Sequence, residues 1–289
     1  MQNQITEFKD HTLDCQKIEV SIVIINYNTF QLTCNCIESI KSNEASLSYE
    51  IILVDNSSSE CSAFEFKRKF PEITLIQSST NVGFAKGNNL GISHAKGRYI
   101  LLLNSDTVLL NNAVSLSISF LEKKRKVGVV TARLEHDNGD IQLNCLRFVS
   151  IRYKLFELFR LQKIVGRYIG GKILLGPFFD YNSVAYPDWV WGTFFMFRRE
   201  SLERLPQKRL SDDFFMYVED MEWCKEFRRL GYQIAFQPAA RLVHFVGKSG
   251  GDKIGMIESN NALFMDKYYT KLHKRSIQFL DRMLALKLK

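Results

Sequence analysis

The feature that most constrains this chain is a series of short, unbroken apolar runs rich in β-branched residues, three of which end abruptly in asparagine or aspartate. Val20 to Ile25 stops at Asn26-Tyr27-Asn28, Ile51 to Val54 at Asp55-Asn56, and Tyr99 to Leu103 at Asn104-Ser105-Asp106. A further run, Ile73 to Ile76, lies between them. Runs this short, without polar alternation, predict strands covered on both faces. Helical spacing appears in between. Leu32, Cys36, Ile37 and Ile40 share one side of a helix that Thr29 is placed to cap, and a short stretch holds Phe64 and Phe70. A small-residue segment opens at Asn81-Val82-Gly83-Phe84 and is expected to close at Gly97. Strand and helix in alternation predict an α/β protein with a mostly parallel central sheet flanked by helices.

Further along, Val114 to Phe120 alternates apolar residues with serine as a strand would, but a parallel crossover requires a helix there, and a helix is expected. Val127 to Thr131 reads as a strand, Asp137 to Asp140 as a tight turn, and Trp189 to Phe197 as one long apolar run. A helix is predicted from Glu219 to Leu230, ended by Gly231, then two short strands, Gln233 to Phe236 and Leu242 to Val246. The tail from Glu258 onward is helical and basic.

Composition narrows the function classes. Hydrophobic residues at 46%, charged at 24% and 5 prolines in 289 residues are globular values and exclude a disordered chain. Cys34 and Cys36 stand two apart, the wrong spacing for a CxxC knuckle, so the six cysteines are expected to be free thiols. No uncharged apolar run reaches the roughly 18 residues of a membrane span, and the first residues hold no apolar signal core. The expectation is a cytoplasmic protein. Lys and Arg number 39 against 31 Asp and Glu, a net charge of +8, which suits an anionic partner: nucleic acid, anionic lipid or a phosphorylated substrate.

In open α/β sheets ligands bind beyond the carboxyl ends of the strands, where the Asn and Asp residues fall. Neither GxGxxG nor GxxxxGK[ST] occurs, so a bound nucleotide is held differently. Asp55 is placed to accept hydrogen bonds from a base or ribose. Asn104 and Asp106, two apart on a loop, can face one hard divalent cation. Glu219-Asp220 either complements a helix dipole or supplies a catalytic carboxylate. His244 is either a satisfied core residue or a ligand.

Seven segments in order, SIVIINYN at 21–28, ILVDNSS at 52–58, NVGFAKGNNLGI at 81–92, LLLNSD at 101–106, WGTFFMFRRE at 191–200, FFMYVEDMEWCKEFRRLGY at 214–232 and LVHFVGKSG at 242–250, resemble a family 2 glycosyltransferase, most closely its rhamnosyltransferase-like branch. The resemblance implies a GT-A fold over residues 18–257, with a nucleotide-binding half at 18–133 and an acceptor half at 134–257, followed by a basic helical extension at 258–289. It implies inverting transfer from a nucleotide-diphospho-sugar, first of all dTDP-rhamnose, to a lipid-linked or polysaccharide acceptor in cell-surface glycan synthesis. Carried over by position, Asn26, Asn28 and Asp55 bind the nucleotide, and Asn81, Gly83, Gly87 and Asn88 shape the wall near it. Asn104 and Ser105 belong to the donor site. Asp106 and His244 hold Mg²⁺ or Mn²⁺. Trp191 and Gly192 separate donor from acceptor. Asp220 is the general base, with Glu219 beside it. One departure stands out: Asn104 replaces the first acid of the family's DxD motif, so the site carries one negative charge fewer.

Two rival functions are weighed against this. A nucleotidyltransferase needs a basic glycine-rich loop after the first strand, and none follows Ile25. A basic nucleic-acid-binding module would present an unbroken cationic face, whereas acids gather at the expected cleft, so no nucleic-acid partner is expected. Between Leu146 and Ala185, Arg152, Lys154, Arg160, Lys163 and Arg167 interleave with Phe156, Phe159 and Leu161. That pattern suits either a solvated helix face or peripheral contact with an anionic membrane surface.

Overall fold

The computed structural model describes residues 18–245 and 253–287. Strand periodicity organises it. In β1 (Val20–Asn26), Val20, Ile22 and Ile24 enter one core and Val23 the other. The same alternation recurs in β4 (Tyr99–Asn104), with Leu101 and Leu103 opposed to Ile100 and Leu102. The sheet is therefore buried on both faces, which is why its strands carry no polar alternation.

The first half is regular. After β1 come α1 (Phe30–Asn43), β2 (Tyr49–Asp55), α2 (Phe64–Lys69), β3 (Thr74–Gln77), α3 (Gly83–Ile92), β4, β5 (Thr107–Leu109), α4 (Ala113–Lys123) and β6 (Val127–Glu135). The second half holds β7 (Cys145–Leu146), α5 (Ile151–Leu158), α6 (Leu161–Ile164), α7 (Arg167–Leu174), β8 (Trp189–Val190), β9 (Phe194–Arg198) and α8 (Arg199–Leu202). It closes with α9 (Glu219–Arg229), β10 (Gln233–His244), α10 (Lys253–Tyr268) and α11 (Lys271–Lys287). Eight strands form one sheet in the order β3-β2-β1-β4-β9-β6-β10-β5. The pairs β3-β2, β2-β1, β1-β4 and β6-β10 are parallel; β9 lies antiparallel between β4 and β6, and β5 antiparallel to β10.

Several expectations are corrected. Trp189 to Phe197 is not one strand: β8 pairs with β7 outside the main sheet, and the chain breaks at Trp191-Gly192-Thr193 before β9 enters it. The two short strands after α9 are one strand, β10, whose pairing to β6 skips from Gln237 to Arg241; Pro238, in the skipped stretch, has no N–H to donate. Helix α3 ends at Ile92, well before Gly97. Gly97 instead lies against β1, where a Cβ would meet the Ser21 nitrogen at 2.4 Å. Thr29 makes no side-chain cap for α1; Glu60 accepts from the Phe30 N–H at 2.9 Å in its stead. Helix α10 begins at Lys253, so the expected join at 257/258 falls inside a helix. The glycine-bearing segment 246–252 lies outside the described residues.

Candidate active site

The carboxyl ends of β1, β2 and β4 meet the turn after β8 and the start of α9 around one cleft. Its walls include Tyr27, Asn56, Asn81, Phe84, Asn104, Ser105, Asp106, Gly192, Thr193, Met216, Tyr217, Glu219 and Asp220. Of the residues named from the sequence, the structure thus brings Asn81, Asn104, Ser105, Asp106, Gly192, Glu219 and Asp220 onto this cleft.

Asn26 and Asp55 stand behind the wall, both buried. The Asn26 amide donates to Asp55 Oδ1 at 2.8 Å and to Ser58 Oγ at 2.9 Å, and its Oδ1 accepts from Thr29 and Thr33 hydroxyls at 3.0 and 2.9 Å. Asp55 Oδ2 accepts the Ser58 N–H at 3.2 Å. Asn28, left-handed at φ 54°, ties down the next loop by accepting from the Ser59 and Glu60 N–H groups. Asn88 donates to the Phe84 carbonyl within its own helix. At Gly87 a Cβ would make only ordinary contact with Ile25, at 3.4 Å; the close approach of α3 to the sheet is at Gly91, where a Cβ would meet Val23 at 2.4 Å. Gly83 has φ +83°, and a Cβ there would meet the Phe215 carbonyl oxygen at 2.3 Å, so only glycine fits. Trp191 packs against the core on the α1 and α4 side of the sheet.

Sequence reasoning missed Asn56 and Tyr27. Asn56 donates to Asn81 Oδ1 at 2.9 Å and the Gly83 carbonyl at 3.2 Å, and accepts from the Val82 N–H at 3.0 Å, so it builds the wall that carries Asn81. The available signal was its place at the end of the second apolar run, directly after Asp55.

Asp106 and His244 come together because β5 and β10 pair antiparallel, with His244 opposite Thr107 and the Phe245 N–H donating to the Asp106 carbonyl at 2.8 Å. His244 Nε2 lies 3.4 Å from Asp106 Oδ1. The tautomer follows from Gln142. Its Nε2 donates to the His244 carbonyl at 2.8 Å, which leaves Gln142 Oε1 facing His244 Nδ1, also at 2.8 Å. In the neutral ring Nδ1 therefore carries the proton, and the Nε2 lone pair points at a carboxylate. Two acceptors so close need a cation or a proton between them. Asn104 Oδ1 is buried without a hydrogen-bond partner, a further oxygen available to a cation or ligand. Among the described residues no group of three or more His, Cys, Asp and Glu side chains forms a closed cage. The donor set suits Mg²⁺ or Mn²⁺, hard cations that commonly take one or two protein ligands and complete their shell with phosphate and water.

The two acids at the start of α9 are not equivalent. Asp220 Oδ2 accepts the Gly192 N–H at 2.9 Å and Oδ1 the Met221 N–H at 2.8 Å. Burial nonetheless raises its pKa to about 6. Glu219 is buried with Oε2 unpartnered, and burial, reinforced by the Asp220 charge, pushes its pKa well above the usual carboxylate range. The environment thus treats the neighbouring carboxyls differently: two backbone N–H groups favour the ionised form of Asp220, while burial and the Asp220 charge favour the protonated form of Glu219.

A family model described as glycosyl transferase family 2 matches residues 21–205. The glycosyltransferase GlyG of Streptococcus pneumoniae is 26% identical over 186 residues, covering 63% of this chain and 57% of that protein, so the chain spans little more than half of GlyG's length. The rhamnosyltransferase WbbL of Escherichia coli is 23% identical over 234 residues, 78% of this chain and 83% of WbbL. Among solved structures, GalNAc-T7 with UDP, GalNAc and Mn²⁺ superposes with a TM-score of 0.64 at 14% identity, over 86% of this chain and 48% of that one. The architecture is that of the GT-A glycosyltransferases.

Proposed function

The chain belongs to glycosyl transferase family 2, and from that premise we propose that it moves a hexose, first of all rhamnose from dTDP-rhamnose, onto a hydroxyl of a lipid-linked or polysaccharide acceptor in cell-surface glycan synthesis. The observation that carries this reading is the pairing across one cleft of an ionised Asp220, aimed by the Gly192 N–H, with the electron-rich set of Asn104, Asp106 and His244.

The residues then divide as follows. Asn81 and Tyr27 line the nucleotide end, braced from behind by Asn56, Asn26 and Asp55, and Asn28 fixes the loop beside them. Gly83 lets the start of α3 lie against the Phe215 carbonyl, and Gly87 and Asn88 belong to the same wall one turn further on. Asn104, Ser105, Asp106 and His244 face the diphosphate. Asp106 and His244, with Asn104 Oδ1 beside them, would hold a divalent cation, whose chemistry would be to offset negative charge on the diphosphate. Asp220 takes the proton of the acceptor hydroxyl, whose oxygen attacks the anomeric carbon as the bond to the nucleoside diphosphate breaks. Attack opposite the leaving group inverts the configuration. Gly192 stands at the partition between donor and acceptor, and Trp191 anchors that turn by packing against the core.

Contact with an anionic membrane surface is part of the proposal. Helix α11 buries Ile277 and Leu280 but leaves Leu272, Phe279, Met283 and Leu286 exposed on its other side, next to Arg275 and Arg282. Ile164, Tyr168 and Ile169 of α6 and α7 are exposed beside Lys163 and Arg167. Apolar stripes rimmed by cations suit an interfacial position. Among the described residues no helix is long and apolar enough to cross a membrane. On vesicles containing phosphatidylglycerol, salt-sensitive sedimentation that weakens in Phe279→Glu is expected; sedimentation indifferent to lipid charge would count against it.

The reading is tested by calorimetry with dTDP-rhamnose, UDP-glucose, UDP-galactose and GDP-mannose, each with and without Mn²⁺. Selective, Mn²⁺-enhanced binding of dTDP-rhamnose is expected. Preference for another donor would replace the sugar, and binding of none by folded protein would overturn the transferase reading.

A further inference from the structure

Helix α9, which carries Glu219 and Asp220, is entered through an unusual stretch of backbone. Tyr217 and Val218 have φ of +66° and +76°, two successive non-glycine residues in the left-handed region, the second β-branched. Such conformations cost of order 1–3 kcal/mol each and persist only where neighbours hold them. Here three consecutive carbonyls are held. The Phe84 N–H at the start of α3 donates to the Phe215 carbonyl at 2.8 Å. The two others converge on a single side chain of α10: Asn260 Nδ2 donates to the Met216 carbonyl at 2.8 Å and to the Tyr217 carbonyl at 3.1 Å. Both hydrogens of that amide are thereby used.

The rest of the same helix face fixes α10 to α9. Phe264 is buried against a cluster that includes Val218 and Met221, the residues flanking the acid pair. Lys267 Nζ and Tyr268 Oη donate to Glu222 Oε1, a fully buried carboxylate one turn into α9, at 2.6 and 2.8 Å. Asn260, Phe264, Lys267 and Tyr268 stand at i, i+4, i+7 and i+8, one stripe of a helix.

We propose that Asn260 is a positioning residue for sugar transfer: by holding the left-handed turn at 216–218 it aims Asp220 into the cleft, and α10 is thereby a working part of the site. The proposal rests on the reading of Asp220 as the base. A strained turn has a lower-energy alternative, and releasing the Met216 and Tyr217 carbonyls lets it relax. Asp220 then shifts away from the Gly192 N–H and into water. Nucleotide contacts built from β1, β2, β4 and α3 are untouched.

The test compares wild type with Asn260→Ala, Asn260→Asp and Asp220→Asn. Asn260→Asp keeps the shape but replaces the donors with a carboxylate, and Asn260→Ala removes them without adding charge, so an effect common to both reports the lost hydrogen bonds. Turnover is measured with the donor selected from the panel above, nucleotide affinity with UDP and dTDP, and the Asp220 carboxyl by ¹³C NMR titration of aspartate-labelled protein, with Asp220→Asn assigning its resonance. In both Asn260 variants kcat should fall roughly tenfold to a hundredfold with nucleotide affinity unchanged. The Asp220 midpoint should move down from about 6 toward the ordinary carboxylate value. Asn260→Asp with wild-type kcat and an unmoved midpoint would overturn the proposal. So would losses of kcat, nucleotide affinity and melting temperature in step, because those report a structural role alone. Full turnover by Asp220→Asn would remove the base reading instead, and the NMR contrast between wild type and Asn260→Asp would still decide whether Asn260 sets the carboxyl's surroundings.

Discussion

The two walls of the cleft are built on opposite principles. On the side built from the ends of β1 and β2, Asn26 uses both its amide hydrogens and its carbonyl oxygen within the protein, and Asp55, Asn28 and Asn56 are tied to backbone and side-chain partners. On the side of β4 and α9, Asn104 Oδ1 and Glu219 Oε2 are buried without partners, and His244 Nε2 faces Asp106 with no donor hydrogen in its neutral form. A saturated network holds shape, whereas unsatisfied acceptors hold free energy in reserve for a ligand. Polar residues that look alike at the ends of equivalent strands therefore do different work, and the difference lies in what remains unbonded.

The comparison breaks most visibly at Asp220. Asp220→Asn should lower kcat by about 10²–10⁴ while calorimetry with the preferred donor shows unchanged affinity. In the wild type the same group fixes the acid limb: the base works only when ionised, so kcat should fall as pH drops through about 6, and a flat profile down to pH 5 would exclude Asp220 from the role. On the saturated side the effect should appear as stability. Asn26→Ala takes an acceptor from two threonine hydroxyls and a donor from the buried Asp55 carboxylate, at an expected cost of about 2–3 kcal/mol in urea unfolding. An effect on turnover without loss of stability would show that Asn26 meets the ligand directly.

Gln142 sharpens the distinction on the unsaturated side. Gln142→Ala frees the His244 tautomer and should weaken Mn²⁺ binding about 10–100-fold, read by electron paramagnetic resonance titration. The smallest effect is expected at Glu219. Because burial favours the protonated form of its carboxyl, the neutral, similarly shaped Glu219→Gln should keep kcat within about threefold with the acid limb unmoved. A large loss would place Glu219 in the chemistry beside Asp220.

Legibility from sequence tracks the range of the interactions involved. The apolar runs and their polar ends are local, and they located the strand ends on which half the cleft is built. Thr29 shows the limit even there: its cap position was readable, but Glu60, thirty residues away, makes the hydrogen bond. Asn56 is marked only by its place after Asp55 at the end of the second apolar run, and Tyr27, between Asn26 and Asn28, by nothing that separates it from its neighbours. Asn260 carried no signal, since its partners are backbone carbonyls more than forty residues earlier.

What the sequence determined by itself is the strand-helix alternation of the first half, the burial of the sheet on both faces and the set of residues with chemistry to offer. Those follow from periodicity and residue type, which act within a few positions along the chain. Only the tertiary structure decided which offers are taken up. The antiparallel entry of β9, the β5-β10 pairing that sets Asp106 against His244, and the closure of α10 over the turn before Asp220 each join segments far apart in the chain. The same contacts decide which polar atoms are left without partners, because hydrogen-bond saturation depends on everything packed around a group.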